Sequence, residues 1–262
     1  MRRFHIDCNL DYQVDGPTHF LFHIEAARCP GQEIIREQLQ VEPEVKLRHF
    51  ADEVSGNRFF RFDARAGKVS VRYRAAVGLE PVSRDGDLGQ VGISDLPGEL
   101  LHLLTPTRYC ESNLLESAAA KLFSGVEPGI KRVEAIRDWV GENIEYRIGS
   151  SDLTTTARDV FVQRAGVCRD FAHLGIAFCR ALNIPARLVV GYVKFEEPPP
   201  DFHALFEAYV GGRWLLFDAT GLAPVDRLVR VGTGRDAKDV AFATMFGPAR
   251  MLAMSPEIEE IK

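Results

Sequence analysis

The sequence lacks several features that would assign it to particular classes of protein. Its 262 residues contain no apolar run long enough to span a bilayer, and no apolar stretch follows the basic residues Arg2 and Arg3. They also contain no block of lysine and arginine, no spacing typical of zinc ligands and no RNA-binding signature. We therefore expect a cytoplasmic protein that binds neither membranes nor nucleic acid.

Cysteine is scarce as well. The chain has five cysteines, an odd number, and they form no Cys-x-x-Cys pair. Such a set is typical of reduced thiols rather than of a disulfide framework, and it argues against a thiol redox protein. A single reactive thiol is compatible with this pattern.

The overall composition is that of a soluble globular protein. Hydrophobic residues make up 46% and charged residues 26% of the chain, with a net charge of −5, which allows one large or two modest domains. Prolines and turn-forming residues cluster at residues 94–107, where the hydrophobic period changes from two to 3.6. The sequence therefore predicts an α+β protein, with an N-terminal β-domain at residues 1–104 and a second domain at residues 105–262.

The first hundred residues predict antiparallel strands. Short alternating runs at residues 19–24, 59–62 and 68–77 are separated by glycine and proline turns. His19 and His23 alternate with aromatic residues at strand spacing. They are expected on the exposed face of a strand, and the alternative of a metal site lacks a third ligand.

The next region predicts helices. Residues 111–123 and 130–143 are amphipathic, and a short helix at residues 156–164 carries a capping box and is expected to end with Gly166 in a left-handed cap. A further helix is expected from about residue 167 to residue 183, where Ile184-Pro185 ends it. It is apolar on most sides, which indicates a helix inside a domain.

Cys168 lies at the predicted start of this helix. A thiol in the first helical turn meets the positive end of the helix dipole and unpaired backbone N–H groups, and both favour the thiolate. The same N–H groups can hold an oxyanion. A free cysteine is nevertheless most often a small core residue. A nucleophile therefore requires a basic partner elsewhere in the chain.

That partner is predicted on a hairpin. Residues 203–218 form two strand-like runs joined by the pair Gly211-Gly212, a strong signal for a tight turn. If the residues that flank the glycines face each other, His203 and Asp218 are diagonal neighbours on one face. The other face is wholly apolar and is expected to be buried, so that the histidine face is turned toward the site.

These three residues could form a catalytic unit. A histidine oriented by a carboxylate can accept the thiol proton of Cys168 and later protonate a leaving amine. Asp218 would hold the ring of His203. Alternatively, His203 lies at a strand edge and Asp218 only ends a strand. The hairpin geometry links the two residues and favours the catalytic interpretation.

Three blocks of the sequence resemble the bacterial transglutaminase-like cysteine protease superfamily. They are GVCRDFAHL at residues 166–174, IPAR at residues 184–187 followed by GY at residues 191–192, and HA at residues 203–204 followed by WLLFDAT at residues 214–220. The resemblance implies a papain-like fold, with a central helix on an antiparallel sheet and an N-terminal β-domain. It also implies Cys168 as nucleophile, His203 as general base and acid, and Asp218 as orienting carboxylate.

Some positions depart from the family pattern or stay unassigned. Leu205 stands where the family commonly has tryptophan and is expected to alter a wall of the substrate cleft, whereas Ala219 replaces a proline and is expected to affect only the strand exit. Tyr146 is a conceivable oxyanion donor, although packing on the helix end is its expected role. Residues 234–240 resemble a further family block, expected near the site.

The predicted activity is cysteine-dependent acyl transfer at amide bonds of a peptide or protein, through a thioester. Hydrolysis is favoured over transfer to an amine, because nothing in the chain marks an amine site. No metal or organic cofactor is expected. The alternative is a catalytically silent protein of the same fold that binds peptides. The sequence gives no indication of the oligomeric state.

Overall fold

The N-terminal region forms two antiparallel sheets around an aromatic core. A computed structural model describes residues 1–83, 85–86, 88–195, 197 and 201–261. The strands of this region are β1 (Arg2–Val14), β2 (Thr18–Phe22), β3 (Gln32–Glu42), β4 (Arg48–Ala51), β5 (Arg58–Ala64) and β6 (Gly67–Leu79). Every second residue of β1 from Phe4 to Val14 is buried, as expected of a strand with one face in a core. The predicted antiparallel β-domain is confirmed.

The central region packs helices on a second sheet. Its elements are α1 (Ser112–Phe123), α2 (Ile130–Asn143), β7 (Glu145–Tyr146), α3 (Ala157–Gln163), β8 (Ala165–Gly166), α4 (Cys168–Ala181), β9 (Ala186–Tyr192), β10 (His203–Val210), β11 (Arg213–Phe217) and β12 (Val229–Gly234). The sheet is antiparallel with strand order β11-β10-β9-β12. Helix α4 packs on it and is buried from Asp170 to Arg180. The predicted central helix on an antiparallel sheet is confirmed.

The helix bounds follow local sequence signals. Helix α2 has the predicted bounds and buries Val133, Ile136 and Val140, which repeat at intervals of three and four residues. Helix α3 begins after Thr156, whose side chain accepts a hydrogen bond from the Asp159 N–H, while the Asp159 carboxylate accepts one from the Thr156 N–H. The predicted capping box is therefore present. None of the described helices is both long and apolar enough to cross a membrane.

The end of the chain returns to the N-terminal sheets. Strand β13 (Ala243–Phe246) pairs with β2, and β14 (Ala249–Ile261) pairs with β1. The two sheets therefore have the orders β14-β1-β6-β3 and β13-β2-β5-β4. The predicted domain boundary assigned all of residues 105–262 to the second domain, whereas β13 and β14 complete the sheets of the N-terminal region. Local sequence patterns do not show this pairing, because the partners lie at opposite ends of the chain.

The two regions meet along β12. The His23 imidazole, fully buried, lies 4.3 Å from the Phe59 ring, and its Nε2 lies 3.1 Å from the carbonyl oxygen of Val231. The prediction that His23 is exposed on a strand is therefore wrong, because β2 ends at Phe22 and the alternation ends with it. His19 lies within β2 as predicted and is partly exposed.

Candidate active site

Cys168 is the first residue of α4, and the preceding segment holds it there. Arg164, with φ of 59°, ends α3 in the left-handed conformation that had been expected at Gly166. Gly166 instead lies in β8, where an added Cβ would lie 2.7 Å from the Cβ of Asp170. The Asp170 carboxylate accepts a 2.9 Å hydrogen bond from the Val167 N–H. Glycine is therefore required for close approach, and Asp170 caps the helix that presents Cys168.

The hairpin has the predicted register. Gly211 and Gly212 both have positive φ, and Val210 lies opposite Arg213, as required for a two-residue turn of the primed type. The paired ladder ends at Phe217, and Asp218 follows directly. This arrangement places Asp218 diagonal to the first residue of β10, as predicted.

His203 is that first residue, and it contacts both partners. Its Nε2 lies 3.0 Å from Oδ2 of Asp218, and both side chains are buried. The side chain of Cys168 also acts on the imidazole and helps to raise its pKa. Because Asp218 occupies Nε2, Nδ1 is the nitrogen left for the sulfur. Cys168 is partly exposed, so a substrate can approach this residue from solvent.

The Asp218 carboxylate is held by several donors. Its Oδ1 accepts hydrogen bonds from the N–H and the hydroxyl of Thr220, at 2.9 and 2.7 Å. Its Oδ2 accepts a further one from the Ala223 N–H at 3.3 Å. These bonds fix the carboxylate, which in turn fixes the plane and tautomer of the His203 ring.

The electrostatics favour a charged pair. Burial lowers the pKa of His203, but the hydrogen bonds to Asp218 and Cys168 outweigh it and raise that pKa to about 9. Burial raises the pKa of Asp218, yet the hydrogen bond from His203 and the bonds from Thr220 bring it below its ordinary value. The imidazolium and the carboxylate are therefore the forms favoured near neutral pH.

Tyr146 reaches the same sulfur from the other side. It lies in β7, which pairs in parallel with β8 so that Tyr146 is opposite Gly166. Both the backbone N–H and the side chain of Cys168 act on its hydroxyl and on the pKa of that hydroxyl. Burial raises the pKa of Tyr146, so the hydroxyl keeps its proton and can donate it. Its ring lies 5.9 Å from that of Phe171, as expected from packing on the helix end.

A second carboxylate lies beside the site. Asp201 is exposed and lies two residues before His203, and its charge acts on both His203 and Tyr146. Desolvation raises the pKa of Asp201, while a hydrogen bond from the Phe202 N–H and the charge of His203 lower it. Sequence analysis did not single out this residue, because it follows a run of prolines and glutamates that predicts only a surface loop.

Comparison with known proteins identifies the family of this chain. Residues 116–219 match the Transglutaminase-like superfamily, and residues 1–99 match the family described as bacterial transglutaminase, N-terminal domain. The crystal structure of a candidate cysteine protease from Cytophaga hutchinsonii superposes on this chain with a TM-score of 0.94. The two sequences are 43% identical, and the match covers 100% of this chain and 91% of that chain. This chain belongs to the transglutaminase-like superfamily.

Relatives occur in mycobacteria as well. The uncharacterized protein ML0607 of Mycobacterium leprae (strain TN) is 26% identical over 260 residues, or 92% of this chain and 91% of the relative. The uncharacterized protein Rv2569c of Mycobacterium tuberculosis (strain ATCC 25618 / H37Rv) is 37% identical over 125 residues, or 41% of this chain and 40% of the relative. The first of these similarities extends over both regions of the fold.

The block at residues 234–240 supports the helix of the transglutaminase-like core. The Asp236 carboxylate accepts a 3.0 Å hydrogen bond from the Tyr109 N–H, and Nε2 of His173 accepts one of 3.1 Å from the Ala237 N–H. Arg180, near the end of α4, donates to the carbonyl oxygen of Arg235. These contacts hold α4 along its flank and at its far end.

The histidine face of the hairpin is also buried. Leu205 is 2% exposed and packs with the other members of an apolar cluster, Val189, Val193, Phe195 and Leu228. Glu207 is fully buried between Arg187 at 2.6 Å and Arg230 at 2.7 Å. The expectation that Leu205 forms a wall of the substrate cleft in this transglutaminase-like core is therefore wrong. Phe195 of the same cluster instead packs 5.5 Å from the His203 ring.

Proposed function

We propose that this protein is a cysteine-dependent enzyme that transfers acyl groups from the amide bonds of peptides or proteins. Cys168 is the nucleophile, His203 the general base and acid, and Asp218 the carboxylate that orients the imidazole. The observation that carries the proposal is the position of His203, whose Nε2 lies 3.0 Å from Oδ2 of Asp218 and whose pKa is raised by the side chain of Cys168 as well. A nucleophile, a base and an orienting group in this order are the requirements for covalent catalysis.

The first half of the reaction forms a thioester. The Cys168 sulfur attacks the carbonyl carbon, so that a carbon–sulfur bond forms and the carbonyl oxygen becomes an oxyanion. In this proposal the Cys168 N–H and the Tyr146 hydroxyl, which acts on the Cys168 side chain, donate to this oxygen. The His203 imidazolium then protonates the nitrogen of the substrate, and the carbon–nitrogen bond breaks with release of an amine.

The second half resolves the thioester. His203, now neutral, accepts a proton from water while the water oxygen attacks the thioester carbon, and Cys168 leaves as the thiolate. The products are a carboxylic acid and the regenerated enzyme. An amine in place of water would give transfer instead of hydrolysis. We favour hydrolysis, and the similarity to a candidate cysteine protease over the whole chain supports that choice.

A thiol-directed label tests the proposal directly. Iodoacetamide should modify Cys168 rapidly at neutral pH, and Cys168→Ala should abolish both this labelling and any amidase activity on a peptide library. Cys29→Ala is the matched control, because Cys29 is the other partly exposed cysteine and burial raises its pKa. Undiminished amidase activity in the Cys168→Ala variant would refute the assignment of the nucleophile, and a Cys168 that alkylates no faster than Cys29 would favour the peptide-binding alternative.

A further inference from the structure

The loop that follows Tyr146 begins beside the nucleophile. It comprises residues 147–156 and joins β7 to α3, and it is called the β7–α3 loop below. The Arg147 N–H donates a 2.9 Å hydrogen bond to the carbonyl oxygen of Gly166, which lies two residues before Cys168. This bond holds the start of the loop against the segment that leads into Cys168.

A second contact holds the middle of the β7–α3 loop. Arg169, the residue after Cys168, donates a 2.8 Å hydrogen bond to the carbonyl oxygen of Asp152. Its guanidinium is oriented by a 3.0 Å ion pair with the Asp170 carboxylate, which is fully buried. The chain on each side of Cys168 therefore carries one anchor of the loop.

The β7–α3 loop is also stiffened from within. One carboxylate oxygen of Asp152 accepts hydrogen bonds from the N–H and the hydroxyl of Thr154, both at 2.7 Å, and from the Thr155 N–H at 3.2 Å. The Thr155 hydroxyl accepts one of 3.0 Å from the Asp152 N–H. A loop that is ordered before binding loses little conformational entropy when a ligand packs on it.

This loop exposes two large aliphatic side chains. Leu153 is 77% and Ile148 is 68% exposed, and neither belongs to the apolar clusters formed by the described residues. Single exposed apolar residues are ordinary on a protein surface. Here two of them lie on one short, anchored loop beside the partly exposed Cys168. A peptide bound at Cys168 could bury their apolar area, which is favourable in water.

The occupant of this surface is apolar rather than charged. Arg147, the basic residue of the loop, pairs with Glu145, and the Asp152 carboxylate is taken up by donors within the loop. We infer that the β7–α3 loop forms an apolar wall of the substrate site and selects peptides with a bulky aliphatic or aromatic side chain close to the scissile amide. This inference rests on the proposed function, because the ligand of the wall is the substrate of Cys168.

Two uncharged thiol reagents of similar length test the wall without a known substrate. Hexyl methanethiosulfonate and 2-(2-hydroxyethoxy)ethyl methanethiosulfonate each form a mixed disulfide with Cys168 and release methanesulfinate. Their rates at Cys168 are measured by mass spectrometry. The apolar-to-polar ratio is divided by the same ratio for glutathione, so that the ionisation of each thiol cancels. We expect a normalised ratio of about ten for the wild type.

Serine variants make the test specific. Leu153→Ser and Ile148→Ser should each lower the ratio about threefold, because each removes apolar area that the hexyl chain covers. Leu252→Ser, at an exposed position of β14, is the matched control and should keep the wild-type ratio. A wild-type ratio near one, or a ratio unchanged in the double variant of the loop, would overturn the inference alone. A Cys168 that reacts with neither reagent would overturn the proposed function, and the inference with it.

Discussion

The transglutaminase-like core buries two histidines whose surroundings give them opposite properties. His203 and His173 are 1% and 0% exposed. Burial disfavours the charged imidazolium in both, and it lowers the pKa of His173 to about 4. At His203 the hydrogen bonds to Asp218 and Cys168 outweigh burial and raise the pKa to about 9. The two rings are equally buried, yet the pKa of His173 lies below neutral pH and the pKa of His203 lies above it.

The difference lies in the hydrogen-bond partners. Nε2 of His173 accepts from the Ala237 N–H, which requires a neutral ring with its proton on Nδ1. The ring stacks on Tyr109 at 5.2 Å, and Asp236 acts on it only through space. His203 instead hydrogen-bonds its carboxylate directly. A direct bond to a buried carboxylate therefore distinguishes the histidine that can act as an acid from the one that supports the fold.

Exchanging each histidine for glutamine is expected to separate these roles most strongly. His203→Gln should lower kcat/KM for amide hydrolysis about 10⁴-fold, because it removes the proton donor and the base together. His173→Gln should stay within about tenfold of the wild type, since the glutamine carbonyl can accept from the Ala237 N–H. Steady-state kinetics on one peptide substrate measure both. Equal losses in the two variants would contradict the assignment of the acid to His203.

Removing the carboxylate should make His203 resemble His173. In Asp218→Asn the hydrogen bond and the charge that raise the pKa of His203 are lost, so kcat/KM should fall about 10³-fold. Activity in the wild type should decline as the pH rises through about 9, where the imidazolium loses its proton. In the variant this decline should begin at lower pH. The pH profile of kcat/KM checks both, and an unshifted alkaline limit would show that Asp218 does not set the protonation of His203.

Two tyrosines allow the same comparison, because Tyr146 lies at the site of His203 and Tyr109 stacks on His173. Tyr146→Phe keeps the ring on Phe171 and removes only the hydroxyl at Cys168, so kcat should fall about 10²-fold with KM little changed. Tyr109→Phe loses a hydroxyl that donates to the carbonyl oxygen of Leu153, and its kcat should stay near that of the wild type. An unchanged kcat in Tyr146→Phe would show that the hydroxyl takes no part in the mechanism.

Local sequence signals predicted the parts of the site that depend on short-range geometry. The pair Gly211-Gly212 fixes the hairpin register, and the register alone brings His203 and Asp218 together. The capping box of Thr156 likewise predicted the start of α3. The next helix was expected from about residue 167, and α4 begins at Cys168. In both cases a turn of a few residues determines where the side chains point.

The missed features depend on partners that are distant in sequence. Tyr146 is a partial exception, since sequence analysis named it near the nucleophile, but its pairing opposite Gly166 runs through two strands of two residues each, too short to produce a hydrophobic period. Glu207 looks like an exposed strand residue, but ion pairs with Arg187 of β9 and Arg230 of β12 accompany its burial. His23 is buried by Val231 of β12 for the same reason. Position along one strand cannot reveal such neighbours.

The smallest expected effect concerns stability, where the two histidines should act on opposite sides of neutral pH. The folded pKa of His173, about 4, lies below the unfolded value of 6.5, so the unfolded state binds the proton first as the pH falls. Between pH 7 and pH 5 this should cost about 2 kcal/mol of the free energy of unfolding. The raised pKa of His203 instead contributes stability that is lost as the pH rises from 6.5 through about 9. Urea unfolding of the wild type and His173→Gln at pH 5 and pH 7 should therefore show a smaller acid loss in the variant. An equal loss in both would mean that His173 is not held neutral by its burial.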